Sequence, residues 1–511
     1  MPDEDYMADI SGKIAQIKRL IDNRCYFTIN RARQYGKTTI LAALERELKD
    51  EYTIAALSFQ GLGNESFASS EMFCRTFINH IAKALRLTSA PKEYIAEWVN
   101  GDITGFGPLS DHITAMCKNK KIVLMIDEVD KASNNQVFLN FLSTLREKFL
   151  ARKAGKDYTF HSVILAGVYD IRNIKLKMIQ DGSHALSADE NKIYNSPWNI
   201  TVNFDVDMSF SPAEITTMLD EYEADHNTGM DAKAVAEAIY GYTSGYPFLV
   251  SRICQCIDET LGKDWTAAGI QRAVQLLLTE SNTLFDDIFK NLENNRELSD
   301  YIYELLIQGK ASSFVVYDSV VSVGVRYGFF KNVNGRVAVF NKIFELLITD
   351  YFMEKDMRSA KQITGVLQYD IVRDGRFDME LCLRKFAEHY AEIFSDGDAE
   401  FLERHGRLLF LSYLKPLING QGFYHIESQF TDLRRMDVVV DFGRQQFIIE
   451  LKRWRGEAYQ AEGYAQLCGY LDSRRADTGY MLTFDFRKDA DKTRRAEWVE
   501  TGGKRIFDVT V

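Results

Sequence analysis

Cys25-Tyr-Phe-Thr-Ile-Asn30-Arg31-Ala-Arg33-Gln34-Tyr35-Gly36-Lys37-Thr38-Thr39 is the stretch that decides the fold of the first half of the chain. Residues 25–29 are β-prone and 40–48 read as a helix, so the motif lies between a strand and a helix. That order suits phosphate. Backbone N–H groups and the helix N-terminus cradle the anion, while a lysine at the end of the loop reaches its outer oxygens. Lys37 fits the outer phosphates and Thr38 fits Mg2+. The pattern G-x-x-x-x-G-K-[ST] is incomplete, because Arg31 stands where the first glycine belongs.

The second half of this signal is Ile122-Val-Leu-Met-Ile-Asp127-Glu128, an apolar buried-strand run closed by two carboxylates. At the carboxyl edge of a parallel sheet, where such folds bind ligands, Asp127 would help place Mg2+ and Glu128 would polarise the attacking water. β-prone runs at 25–29, 52–59, 122–126, 162–166 and 200–204 alternate with helical periods, which predicts a parallel sheet covered by helices. From 206 to 290 the pattern is helical, opening on Ser211-Pro-Ala-Glu214 with a serine N-cap, proline at N1 and glutamate at N3. It reads as a helical lid. A helix over 298–308, a second helical stretch and a hairpin at Asn334-Gly335 suggest a winged-helix module. Boundaries are expected at 1–205, 206–290, 291–357 and 370–511.

A length of 511 residues exceeds a single core, and 46% apolar with 26% charged residues is ordinary globular composition. The net charge of -11 argues against a chain coated in basic residues for non-specific nucleic-acid binding, though not against a local basic groove. Seven cysteines without a CxxC pair fit a reducing cytosol without disulfides or a zinc site. The eight histidines form no HxxxH or HExxH spacing. The acidic start lacks a secretory signal, and no apolar run approaches the ~20 residues that span a bilayer. A soluble, cytoplasmic protein without membrane contact is expected.

In the last quarter, Met436-Asp437-Val-Val-Val-Asp-Phe442 and Gln446-Phe-Ile-Ile-Glu450-Leu-Lys452 flank Gly443-Arg444. A two-residue turn with glycine first suits type II′ and sets Asp437 opposite Glu450, and strand alternation puts Lys452 on the face of Glu450. A three-residue turn would send Asp437 to the other face. Two carboxylates and a lysine among apolar residues are costly unless paired or metal-bound. Oxygen ligands suit Mg2+ or Mn2+ against a scissile phosphate, with lysine orienting or deprotonating the attacking water. Arg434, Arg435, Arg453 and Arg455 surround the proposed site and suit phosphate contacts.

The N-terminal motifs resemble the AAA-like P-loop ATPases of the archaeal-ATPase and STAND type, over roughly residues 10–355. That resemblance extends to Gly241-Tyr-Thr-Ser-Gly245-Tyr-Pro247 in the lid. It implies a polar sensor near Leu165-Ala-Gly-Val-Tyr-Asp-Ile-Arg172, with Arg172, Arg146 and Arg252 as basic candidates. The candidate nucleotide contacts are therefore Arg33, Gln34, Tyr35, Gly36, Lys37, Thr38, Thr39, Asp127 and Arg172, with ATP and Mg2+ as cofactors. The C-terminal pattern resembles the PD-(D/E)XK nuclease superfamily, with an αβββαβ, restriction-endonuclease-like core and Met436 in place of its proline. Gln466-Leu-Cys-Gly-Tyr470 matches the Q-x-x-x-Y of an exonuclease-like branch. The superfamily often adds an acid from the preceding helix, here Glu403, with Glu400 and Glu427 behind it.

The fold class expected is thus α/β multidomain: a P-loop parallel sheet, helical lid, winged helix and nuclease domain. By resemblance to AAA-like ATPases fused to such nucleases, ATP would gate or position a DNase, with DNA as partner, a homo-oligomer through the ATPase domain, and a role against foreign DNA. Two other classes fit the same motifs. One is a nucleotide-switched module whose nuclease fold only grips DNA, the other a remodelling ATPase that docks DNA through the winged helix.

Overall fold

The structure, a computed structural model, describes residues 5–168 except 89, 102, 133 and 134, and residues 198–359 except 308, 309 and 311. It also describes 371–393, 399–418, 422–428, 436–485, 487 and 495–511. Two compact units divide the chain. The first comprises Met1–Gln255, Asn282–Ile288 and Val323–Phe329, and the second Cys256–Ser281, Phe289–Ser322 and Phe330–Val511.

In the first unit, β1 (Tyr26–Asn30), β2 (Thr53–Ser58), β3 (Ile122–Asp127) and β4 (Ser162–Gly167) form a parallel sheet in the order β1-β4-β3-β2. Every residue of β3 and β4 is buried, as expected of strands covered on both faces. Phe73, Phe77, Trp98, Phe138 and Phe141 fill one side of the core. The strand expected over 200–204 shrinks to a single parallel bridge, Phe27 to Val202, with the Val202 N–H donating to Tyr26 O at 3.0 Å. A turn at 198–200 above the buried Trp198 brings the chain to the outside of β1, and Val202 stays 39% exposed at that edge.

The helices Pro212–His226 and Ala232–Thr243 follow in this unit, and a third, Pro247–Glu259, starts in it and ends in the second. The first opens on the expected capping box, Ser211 and Glu214 satisfying each other's backbone N–H with Pro212 at N1. Gly245 adopts φ +72, and a Cβ there would stand 1.9 Å from the carbonyl oxygen of Phe210. Only glycine permits that approach.

The second unit, which starts at Cys256, holds the helix Ala267–Leu278. It also holds the helix Arg296–Leu306 and a hairpin of β5 (Phe330–Val333) and β6 (Arg336–Val339). Asn334 and Gly335 both take positive φ, 51° and 80°, as a type I′ turn requires. The helix Lys342–Ser359 and a two-residue ladder of β7 (Val372–Arg373) and β8 (Arg376–Phe377) come next.

The helices Met379–Ile393 and Ala399–Ile418 then precede β9 (Gly422–Ser428), β10 (Met436–Phe442) and β11 (Gln445–Arg453). After the helix Glu457–Ser473 come β12 (Thr478–Phe484), β13 (Arg495–Thr501) and β14 (Lys504–Thr510). These last six strands form one mixed sheet ordered β13-β14-β12-β11-β10-β9. It exceeds the expected αβββαβ core by the hairpin β13–β14, whose turn is Gly502-Gly503, both with positive φ. The helix Glu457–Ser473 covers one face through Leu467, Cys468 and Leu471 against Val439, Ile448, Met481 and Ile506. No helix among the described residues is long and apolar enough to cross a membrane.

Candidate phosphate and phosphodiester sites

The loop between β1 and the next helix, Lys37–Leu48, is built by backbone conformation. Gly36 is the helix N-cap with φ +78 and offers no side chain to the first-turn N–H groups. Left-handed φ falls at Gln34 and Gly36, not at Arg31. The Arg31 position therefore makes no demand for glycine. Its guanidinium turns out of the loop, donating to Asn30 O and Val206 O at 2.9 Å and lying 5.5 Å from the centre of the Phe204 ring.

Lys37 is buried, and its ammonium donates to the carbonyls of Arg31 and Ala32 at 2.9 Å. Burial pushes its pKa below the ordinary lysine value, against the opposing charges of Asp130, Glu128 and Asp127. Thr38 Oγ1 donates to Asp127 Oδ2 at 2.6 Å. Glu128, just past β3, has φ +55, unusual for a residue with a Cβ, and its N–H donates to Asp127 Oδ1. Asp130 was not foreseen. Its Oδ2 accepts the Val168 N–H at 2.6 Å, tying the end of β4 to the acidic turn. The signal for it is a third acid two residues after the Asp127-Glu128 pair.

The side chains of Arg33, Gln34 and Tyr35 each have a protein partner. Arg33 Nε lies 3.0 Å from Asp287 Oδ2, Gln34 Nε2 donates to Thr283 Oγ1 at 2.8 Å, and the Tyr35 hydroxyl meets Ser209 Oγ at 2.6 Å. Tyr35 also packs edge-on to Tyr246, whose hydroxyl donates to Arg33 O. Thr39 is exposed on the first turn. A cleft of about 420 Å³ opens beside this region, walled by Lys13, Asp205, Asp207, Ser209, Glu214 and Tyr240 among others. Arg172 lies outside the described residues. Arg252 Nη1 donates to Gln255 Oε1 at 2.9 Å, and Arg146 Nε is buried without a hydrogen-bond partner among the described residues.

At the C-terminal hairpin the turn is the two-residue Gly443-Arg444, with positive φ at Gly443 alone of the pair, as type II′ requires. Asp437 pairs with Glu450 across it. Asp437 also pairs with Glu427 on its other side, so backbone register sets Glu427, Asp437 and Glu450 in one row across β9, β10 and β11. The side chains of Glu427, Asp437, Glu400 and Glu403 lie outside the described residues, as do Arg434 and Arg435 altogether.

Glu450 is 2% exposed and Lys452 5%. Lys452 Nζ lies 4.0 Å from Glu450 Oε1, 3.4 Å from Gln466 Oε1 and 4.9 Å from the Tyr459 ring centre. Glu450 Oε1 is buried and has no hydrogen-bond partner among the described residues. Gly463 makes room for the lysine, since a Cβ at that position would stand 2.4 Å from Nζ. Gln466 thus reaches Lys452, whereas the Tyr470 hydroxyl accepts from Arg474 Nη2 at 3.3 Å. Among the described residues no three His, Cys, Asp or Glu gather as a metal-ligand set.

A second Gln-x-x-x-Tyr, Gln460 and Tyr464, went unread in the sequence. Both side chains converge on Asp508 of β14, which is fully buried on the sheet face of Glu450 and Lys452. The spacing was visible, but the partner becomes apparent only once β14 is placed beside β12.

No curated protein matches this chain. Among solved structures, the Walker-type ATPase PABY2304 of Pyrococcus abyssi is 12% identical, covering 67% of this chain and 96% of its own, with a TM-score of 0.44. The ORC2 protein of Aeropyrum pernix is 12% identical over 70% and 97%, with a TM-score of 0.35. CDC6P from Pyrobaculum aerophilum is 13% identical over 68% and 94%, with a TM-score of 0.30. Residues 6–311, more than half of the 511, match the family described as an AAA-like domain. The chain, with its parallel sheet and Gly36-Lys37-Thr38 loop, belongs to that AAA-like family.

Proposed function

We propose that the chain joins an ATP-binding and ATP-hydrolysing domain to a divalent-metal-dependent DNA nuclease formed by residues 370–511. The observation that carries the nuclease reading is the buried Glu450 Oε1, which has no hydrogen-bond partner among the described residues, beside the buried Lys452 and in register with Asp437. A desolvated carboxylate oxygen without a donor is costly, and a bound cation removes that cost.

Asp437 and Glu450 would hold Mg2+ or Mn2+, with Glu427 of the same cross-strand row as third acid instead of Glu403. A cation held by these residues would supply polarisation of the scissile phosphate. Lys452, steadied by Gln466, orients or deprotonates the attacking water. The exposed Arg453 and Arg455 add sequence-independent phosphate contacts.

In the first unit, Lys37 would exchange the carbonyls of Arg31 and Ala32 for the outer phosphates of ATP. Thr38 and Asp127, already joined by a hydrogen bond, would hold the Mg2+ that neutralises phosphate charge. Glu128 orients the hydrolytic water, and the neighbouring cleft takes the nucleoside. Residues 291–357, read as a winged helix, would dock duplex DNA.

The test is incubation with linear, circular and single-stranded DNA plus Mg2+ or Mn2+, with and without ATP. Glu450→Ala and Lys452→Ala should abolish cleavage, and Lys37→Ala should remove its ATP dependence. Metal-dependent cutting that survives Glu450→Ala would refute the site. Cutting indifferent to both ATP and Lys37→Ala would refute the coupling.

A further inference from the structure

We propose that Asp508 is a positioning residue for Lys452, acting through the helix Glu457–Ser473; the inference rests on the nuclease reading of Lys452. Register pairs Glu450 with Met481 and Met481 with Asp508, and the next row along runs Lys452, Thr483 and Thr510. All six share one sheet face, which the helix covers.

Asp508 has no exposure to water, and burial raises its pKa. Its charge is met chiefly from the helix. Gln460 Nε2 donates to both carboxylate oxygens at 3.2 Å, and the Tyr464 hydroxyl donates to Oδ2 at 2.5 Å. Arg495 Nη1 approaches Oδ2 at 3.5 Å from β13. Gln460 and Tyr464, four residues apart, lie on one helix face. The same stretch of helix surrounds the lysine: Gly463 leaves the space Nζ occupies, and Tyr459 and Gln466 touch it. Through Gln460 and Tyr464, Asp508 fixes the rotation and height of the segment that shapes the amine's surroundings. A helix released from Asp508 can shift by a fraction of an ångström, and the amine's contacts shift with it.

The test uses the full chain, comparing wild type with Asp508→Asn and with Tyr464→Phe, which removes one hydroxyl and guards against a variant that fails to fold. Amine acylation read by mass spectrometry should quicken several-fold at Lys452 in both variants while Lys385 and Lys504 keep their wild-type rates. DNA cleavage should fall in kcat by about 10-fold or more, the usual effect of losing such a support, with KM for DNA unchanged within about twofold. Unchanged Lys452 acylation overturns the proposal, as does faster acylation at all three lysines, which would mean general loosening. If wild type cleaves and both variants keep its kcat, the proposal also falls. Should wild type cleave no DNA, the nuclease reading fails on its own, and Lys452 acylation still decides whether Asp508 holds the lysine's surroundings.

Discussion

Gly245→Ala offers a test of the packing around the phosphate loop in which geometry sets the magnitude. The added methyl would meet Phe210 O at 1.9 Å, its carbonyl carbon at 2.8 Å and its nitrogen at 2.9 Å. All three are backbone atoms, so no side-chain rotation relieves the overlap, and the chain must move by about 1 Å to reach ordinary contact. Left-handed φ costs a residue with a Cβ about 1–2 kcal/mol, overpacking adds roughly 1–3 kcal/mol, and weakening the 2.8 Å bond from Phe210 N to Gly245 O about 1 kcal/mol. The sum is about 3–6 kcal/mol. At about 2–4 °C per kcal/mol for a domain of this size, Tm should fall by roughly 10 °C. Gly241 provides the control. It lies inside the helix Ala232–Thr243 with nothing within 4 Å of a new Cβ and no positive φ, so Gly241→Ala should stabilise by about 0.5–1 kcal/mol. Thermal unfolding of both variants is the assay, with titration of a non-hydrolysable ATP analogue, because Tyr246 and Pro247 adjoin the loop at Arg33 and Gly36. Gly245→Ala melting within 2 °C of wild type, or Gly241→Ala proving the more damaging, would refute this packing.

Arg31→Gly restores the motif on paper but removes two hydrogen bonds and the contact with Phe204, so it should cost about 2–4 kcal/mol. Nucleotide affinity should not improve, and tighter binding in a titration would contradict the role given to Arg31. His161, buried beside Arg24, Arg152 and Lys121, has its pKa pushed down to about 4. The folded state therefore holds the proton less tightly than the unfolded state, and this contribution is complete above about pH 6.5 and lost as pH falls towards 4, up to about 3 kcal/mol. Tm measured from pH 7 to 4.5 should fall less steeply in His161→Asn, and equal slopes would refute the assignment. The three atoms nearest a Cβ at Gly463 all belong to the flexible end of Lys452, so in Gly463→Ala Tm should change by less than about 3 °C while DNA cleavage is lost. Full activity in that variant would show that the lysine's position is not critical.

The parts legible in sequence were those set by neighbours along the chain. Ser211, Pro212 and Glu214 fix a helix start within four residues, Asn334-Gly335 fixes a I′ turn, and Gly443-Arg444 fixes the register that pairs Asp437 with Glu450. What sequence hid depends on partners far apart. The run 200–204 has strand composition, yet its single bridge to β1 reflects where the turn after Trp198 delivers it. Arg31 read as a flaw in the loop until Val206 O and Phe204 appeared beside it. Asp508 carries no motif of its own, and its part becomes visible only where β14 places it under Gln460 and Tyr464. The hairpin β13–β14 was available in principle, because Gly502-Gly503 between two strand-like runs is the same signal as Asn334-Gly335.

The most direct measurement is a crystal structure grown with Mn2+ and recorded for its anomalous scattering. An anomalous peak within coordination distance of Asp437 and Glu450, with Glu450 Oε1 as a ligand, is the expected result. A peak absent from that row while Mn2+ occupies the site at Thr38 and Asp127 would contradict the nuclease assignment and leave the C-terminal sheet without its proposed chemistry.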